Sequence, residues 1–239
     1  MARVKGGVGL IVPGVTGVKS AHGYLYEKEA EFLGPIREII DEIHACGAKY
    51  FFQLGAGFGR AQLIGLGGDM DEETRRLLMV APSDGIPNVW MPELRHRGLT
   101  REEIHDLVDA FGKSALLCKR AGIDGVEIHA IHEGYLLDQF TISSTNQRTD
   151  EYGGSLENRF RFVTEIIREI KKTCGEDFPV MIRYSVASKM RGFNQGALPG
   201  ENYREFGRSL EESPAAARLL EAEALSGPDV EAFFKAQAV

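Results

Sequence analysis

Five residues able to do chemistry, Glu127, His129, His132, Glu133 and Tyr135, fall within nine positions of one another. Histidine ring nitrogens can donate hydrogen bonds to a carbonyl oxygen. A phenol has a reference pKa of about 10, so at neutral pH it holds its proton and can act as a general acid. The carboxylates and imidazoles would also serve as metal ligands. Their spacing argues against that use. The pattern is not HExxH on a helix, and Glu127 and His129 share one strand face while His132 falls in the turn that follows. Gln53 and Arg183 each stand near the C-terminal end of an apolar run. All of these residues have plainer uses: Gln53 as a loop cap, Arg183 as a structural ion-pair partner, Tyr135 as a packing aromatic, the histidines as satisfied donors.

The elements that must position these groups can be read from hydrophobic period and punctuation. Val8–Val12 is a continuous apolar run, as a strand buried on both faces requires, and Pro13 and Gly14 stop it. Pro35 to Cys46 reads as a helix, with Pro35 in the first helical position and Ile36, Ile39, Ile40 and Ile43 on one face. Ala48–Leu54 is the second strand, followed by the glycine-rich turn GAGFGR at 55–60. That turn lacks the lysine and the spacing of a phosphate loop and reads as a plain turn. Residues 61–98 carry no periodicity and read as a long excursion of the kind that often serves as a lid.

Thr100 opens the next helix with a Thr100–Glu103 capping box, and Ile104, Leu107, Val108, Phe111 and Ala115 form its apolar face. Gly125–His129 is the third strand, Ser155 to Thr173 a helix, and Pro179–Tyr184 the fourth strand. A last helical region spans about 202–222, interrupted at Pro214, with Ser213 as N-cap of its second half. Alternating strands and amphipathic helices imply an α/β fold with a parallel sheet. Gln53, the 127–135 cluster and Arg183 would then converge at the C-terminal ends of its strands.

Composition narrows the classes. Net charge is −7 with no long basic run, which argues against nucleic acid and anionic membrane as partners. No apolar run approaches the ~20 residues of a transmembrane helix, and the N-terminus lacks a signal-peptide pattern. Cys46, Cys118 and Cys174 are scattered, with no CxxC, which implies reduced thiols packing between helices in a cytoplasmic protein without an iron–sulfur cluster.

The residues GVEIHAIHEGYLLDQF followed by TNQRTDEYGGSLENRFRF, with GGVGLIVPGVTGV, KYFFQLGAGFGR and PVMIRYSV, resemble the Old Yellow Enzyme family of FMN-dependent oxidoreductases. The likeness covers roughly residues 3–222 and is greatest to the branch with 2-enoate reductases and bile-acid 4-desaturases. It implies a (β/α)8 TIM barrel, FMN, NADH or NADPH as electron partner, and an α,β-unsaturated carbonyl substrate, reduced or, in reverse, formed by desaturation. Carried over residue by residue, it makes Tyr135 the proton donor to the α-carbon. His129, with His132 or Glu133, would hold the carbonyl oxygen. Gln53 would bind the pyrimidine edge of the flavin, Arg183 would sit near its N1/O2 region, and Gly14 would join them as a cofactor-binding residue. This branch is one residue longer between His129 and Tyr135 than the commoner pattern.

Only about four βα units are visible. The expectation is a partial barrel over 1–222 with its first and last strands missing, and a divergent tail over 223–239. The family's FMN-phosphate amides lie in the units not seen here. A half-barrel leaves two sheet edges and an apolar face uncovered. That predicts weak FMN binding, or none, unless another chain completes the barrel, and either self-association or pairing with a complementing chain. The alternative expectation is a catalytically inactive half-barrel that self-associates.

Overall fold

The computed structural model describes residues 1–62, 71–132, 134–186, 190–192, 195–196 and 210–224. The sheet runs in the order β1 (Leu10–Ile11), β2 (Lys49–Gly55), β3 (Gly125–Ile131) and β4 (Val180–Tyr184), all parallel. The helices between and after these strands are α1 (Glu29–Ala45), α2 (Arg101–Arg120), α3 (Leu136–Thr141), α4 (Leu156–Cys174) and α5 (Ser213–Ala224). This is the half-barrel expected from the alternation of strand and helix. β1 is shorter than Val8–Val12, because Val8 is exposed and only Leu10 and Ile11 pair with Lys49 and Tyr50. A further two residues, Thr16–Gly17, pair with the end of β2.

The two faces of the sheet differ. Val126, Ile128 and Ala130 of β3 are fully buried in one core with Ile104, Phe111 and Ala115 of α2 and Phe160, Val163 and Ile167 of α4. The close approach of α2 to α4 rests on Gly112, where a Cβ would lie 2.9 Å from Glu169 Cγ. The alternate residues of β2 and β3 point the other way, into the half-barrel. There Phe51 covers Gly125, whose Cβ would lie 2.6 Å from the Phe51 ring. Gln53 pairs with Glu127 above that layer, and Arg183 with His129 above that.

The helix caps follow the sequence. Thr100 Oγ1 accepts from Glu103 N–H at 3.1 Å, and Glu103 accepts from Thr100 N–H at 2.9 Å. Ser155 caps α4 by accepting from Asn158 N–H at 3.2 Å. Four expectations need correction. α1 begins six residues before Pro35, which sits inside it. A proline there costs about 3 kcal/mol. The earlier turns pack Phe32 and Leu33 against the core, with the Phe32 ring edge-on to Phe52 at 5.3 Å, and burying each such side chain contributes about 1.5–3 kcal/mol. Second, the 61–98 excursion is not irregular throughout. It holds a helix, Glu72–Leu78, capped by Asp71, and three short strands, Val80–Ala81, Ile86–Pro87 and Arg95–Gly98. Third, the Ser213 hydroxyl does not cap α5; it donates to the Val186 carbonyl, and the Tyr184 phenol bonds back to Ser213. Fourth, Cys46 is exposed, whereas Cys118 and Cys174 are buried as expected. Burial pushes the Cys174 thiol up to about 11. Glu133, residues 197–209, where the sequence pattern starts the last helical region at about 202, and residues from 225 onward lie outside the described residues.

Candidate active site

Strand register brings the predicted groups together. Gln53 and Glu127 are paired neighbours on β2 and β3, and His129 and Arg183 on β3 and β4. Gln53 is buried; its Nε2 donates to Glu127, while its Oε1 is buried and has no partner among the described residues. A buried acceptor left bare costs about 1–3 kcal/mol, so this oxygen is suited to a ligand N–H. Arg183 is exposed, on the same face as His129, and has no ion-pair partner among the described residues. Gly14 is exposed in the turn between β1 and Thr16–Gly17, and a Cβ there would meet nothing.

Beyond Arg183 the pairing with β3 slips by one residue: Arg183 faces His129, Tyr184 faces Ile131, and Ala130 is left over. This β-bulge turns the chain at the strand end, where bulges often re-aim side chains. His132 then folds back, its Nδ1 3.1 Å from His129 Nε2. Only one proton can sit between them, so in a neutral pair the second N–H lies away from this contact whichever tautomer holds. Tyr135 stands next, its ring centroid 5.0 Å from that of His129 and tilted by 30°. Phe58, from the GAGFGR turn, meets the other side of Tyr135 edge-on at 4.9 Å.

His129 and Tyr135 open into a cleft of about 480 Å³, lined also by Thr16, Lys19, His22, Lys28, Phe58 and Leu78. That volume is in the range of small-molecule sites. Among the described residues its lining contains two lysines and two histidines and no carboxylate, although the chain as a whole is acidic. Among the described residues no three His, Cys, Asp or Glu side chains converge on a common metal position.

Several supporting residues escaped the sequence reading. Leu136–Thr141 is a helix, and all six of its residues are buried. Asp138 accepts from Gly134 N–H at 2.8 Å, and Gln139 donates to the Gly134 carbonyl at 2.6 Å, so both hold the residue before Tyr135. Arg60, the last residue of the GAGFGR turn, is buried, its Nε donating to the Pro87 carbonyl at 3.1 Å, and burial lowers its pKa to about 10. The signal available was polar residues inside the apolar run LLDQF, where each must find a partner.

The TNQRTDEYGGS segment plays a different part. Arg148 donates to the carbonyls of Pro82 and Leu99 at 2.8 and 2.6 Å and to Asp150 at 2.6 Å, fastening the excursion to the loop after α3. Asn146 Nδ2 donates to the carbonyls of Phe140 and Tyr152 at 2.6 and 2.7 Å. At Gly153 a Cβ would lie 2.1 Å from the Arg148 carbonyl oxygen, so only glycine fits. Tyr152 donates to Glu165 at 2.8 Å; burial, with that carboxylate beside it, pushes its phenol up.

The profile of the NADH:flavin oxidoreductase / NADH oxidase family matches residues 2–224. The chain belongs to this family. Cinnamate reductase from Clostridium sporogenes is 48% identical over 236 residues, which are 94% of this chain and 34% of that enzyme. 12-oxophytodienoate reductase 2 from Arabidopsis thaliana is 36% identical over 71% of this chain and 46% of its own length. Among solved structures, the Old Yellow Enzyme homologue of Zymomonas mobilis superposes with TM-score 0.65 at 26% identity, covering 90% of this chain and 57% of that one. A 2-naphthoyl-CoA reductase complex reaches TM-score 0.70 at 28% identity, covering 93% of this chain and 32% of that one. This family member therefore spans about a third of the length of its cinnamate reductase relative.

Proposed function

We propose that the chain forms the substrate-facing half of an FMN-dependent oxidoreductase site acting on the C=C bond of an α,β-unsaturated carbonyl compound, enoate- or steroid-like, with NADH or NADPH as electron partner. Residues 1–222 are the barrel domain in this reading. The observation that carries it is the pair His129 and Tyr135 on the wall of one cleft, with His132 bonded to His129 and the bare Gln53 oxygen one pair of strand positions below them.

The residues fit FMN at its pyrimidine edge. Gln53 Oε1 would accept from the ring N–H, and Arg183, exposed beside His129, would balance negative charge on the ring. Bound FMN supplies the hydride. What the chain's own residues do follows from charge. When hydride reaches the β-carbon, negative charge builds on the carbonyl oxygen. A ring N–H of His129, on the cleft wall with His132 beside it, would donate to that oxygen and stabilise it most in the transition state. Tyr135 then delivers its phenolic proton to the α-carbon. Desaturation would use the same groups in reverse, with Tyr135 taking the proton. Phe58 shields one side of the phenol and keeps the donor in a drier environment.

The two outer strands, β1 and β4, end the sheet among the described residues. Open parallel edges favour a complementing chain or a second copy as partner. The test is to purify the chain, titrate it with FMN, and record the flavin spectrum and alkene reduction with cinnamate and with a neutral enone. Flavin uptake and reduction that is lost in Tyr135→Phe support the reading. Failure to bind FMN, with oligomers in solution, would instead favour an inactive association module.

A further inference from the structure

We infer that Gln139 is a positioning residue: its side-chain amide locks the turn after β2 to the turn after β3 and so fixes Tyr135 against His129. Gln139 is only 1% exposed. Its Nε2 donates to two carbonyls, Gly134 at 2.6 Å and Phe58 at 3.2 Å, and its Oε1 accepts from Arg60 N–H at 3.2 Å. All three partners are backbone groups, drawn from loops that follow neighbouring strands. Gly134 is the residue before Tyr135, and Phe58 carries the ring that packs edge-on against the phenol. One backbone bond, Leu136 N–H to the Gly57 carbonyl at 3.2 Å, runs parallel to the amide.

The fit is specific to an amide. Two carbonyls require donors and one N–H requires an acceptor, so a carboxylate of the same shape offers the wrong groups twice. A methionine of similar length fills the space and offers no comparable donor. The turn passes close over the amide at Gly59, which has φ +54°, and a Cβ there would lie 2.6 Å from both amide heavy atoms. The plain turn read from GAGFGR is thus one jaw of a clamp, and the helix α3 is the other.

The kinetic consequence rests on Tyr135 being the proton donor; the positional one does not. The experiment compares wild-type chain with Gln139→Met and Gln139→Glu, carrying ring-labelled tyrosine, with Tyr135→Phe used to assign the Tyr135 signal. Thermal melts report folding, and nuclear Overhauser contacts from the Tyr135 ring to Phe58 and His129 report position. The expected result is a folded Gln139→Met protein whose Tyr135 ring has lost those contacts. In flavin-loaded protein, alkene reduction should fall by about 100-fold in kcat with KM little changed, while flavin reduction by NAD(P)H is unaltered. If Gln139 variants do not fold, Gly59→Ala presses on the amide from the opposite side and should also displace the Tyr135 contacts. Unchanged Tyr135 contacts in folded Gln139→Met, or in Gly59→Ala, would overturn the inference. Should Tyr135→Phe prove fully active, the catalytic reading fails and the contacts still decide the position.

Discussion

The two halves of the stretch from Gly125 to Arg159 use polar residues in opposite ways. In the first half, His129, His132 and Tyr135 bond or stack among themselves, and His129 and Tyr135 face a cleft. In the second, Asn146, Arg148 and Arg159 direct their donors at backbone carbonyls or carboxylates within the fold. Both halves look alike as sequence, being dense in charge, amide and aromatic groups. The difference is the partner. A group bonded to backbone stabilises the chain it belongs to, while a group presented to a cleft adds little to stability and serves a ligand.

That contrast predicts how each half breaks. The largest effect is expected for Tyr135→Phe: alkene reduction in flavin-loaded protein should drop by roughly 10²–10⁴, with the melting temperature nearly unchanged. Arg148→Ala should do the reverse. It removes an ion pair and two carbonyl contacts from a mostly buried position, and a stability loss of about 3–5 kcal/mol in denaturant titration is expected. A Tyr135→Phe protein that melts much earlier, or an Arg148→Ala protein as stable as wild type, would erase the distinction. Asn146→Ala should cost less, about 1–3 kcal/mol, because it leaves the Phe140 and Tyr152 carbonyls without their donor.

The smallest effect concerns pH. His96 is buried in the excursion with Nδ1 3.2 Å from the Ile86 carbonyl, and burial lowers its pKa, with Arg60 adding to the shift. The folded state therefore resists protonation more than the unfolded chain, whose histidine titrates near about 6.5. Stability should be full above that pH and decline below it, towards the folded value. Melting temperature measured from pH 7.5 to 5 should fall in the wild type, and His96→Asn should flatten the slope.

What could be read in the sequence was whatever has a period or a cap. The i, i+3, i+4 spacing in α2 and α4, the Thr100 and Ser155 caps, and the apolar runs of β2, β3 and β4 all mark elements of the structure. Strand ends then located Gln53, His129 and Arg183. α3 was illegible because a six-residue helix buried on every side has no polar face to make a period. α1 was cut short because Pro35 is a strong local signal that tertiary packing of Phe32 and Leu33 overrides. Asp138 and Gln139 were missed for another reason. Asp138 bonds the backbone of its own loop at Gly134, and Gln139 also bonds backbone atoms of another loop, which no spacing in the chain singles out.

The leftover residue in the strand pairing, Ala130, bears on how such a site can change. His129 is fixed by the sheet, and Tyr135 is held from the far side by the Gln139 and Asp138 bonds at the start of α3. The few residues strung between them are held at both ends by anchors that do not depend on their number. A gain or loss of one residue there can be taken up in the turn while the two rings keep their 5.0 Å separation. The length of this turn, and with it the shape of the cleft wall, can thus change without moving the Tyr135 ring away from His129.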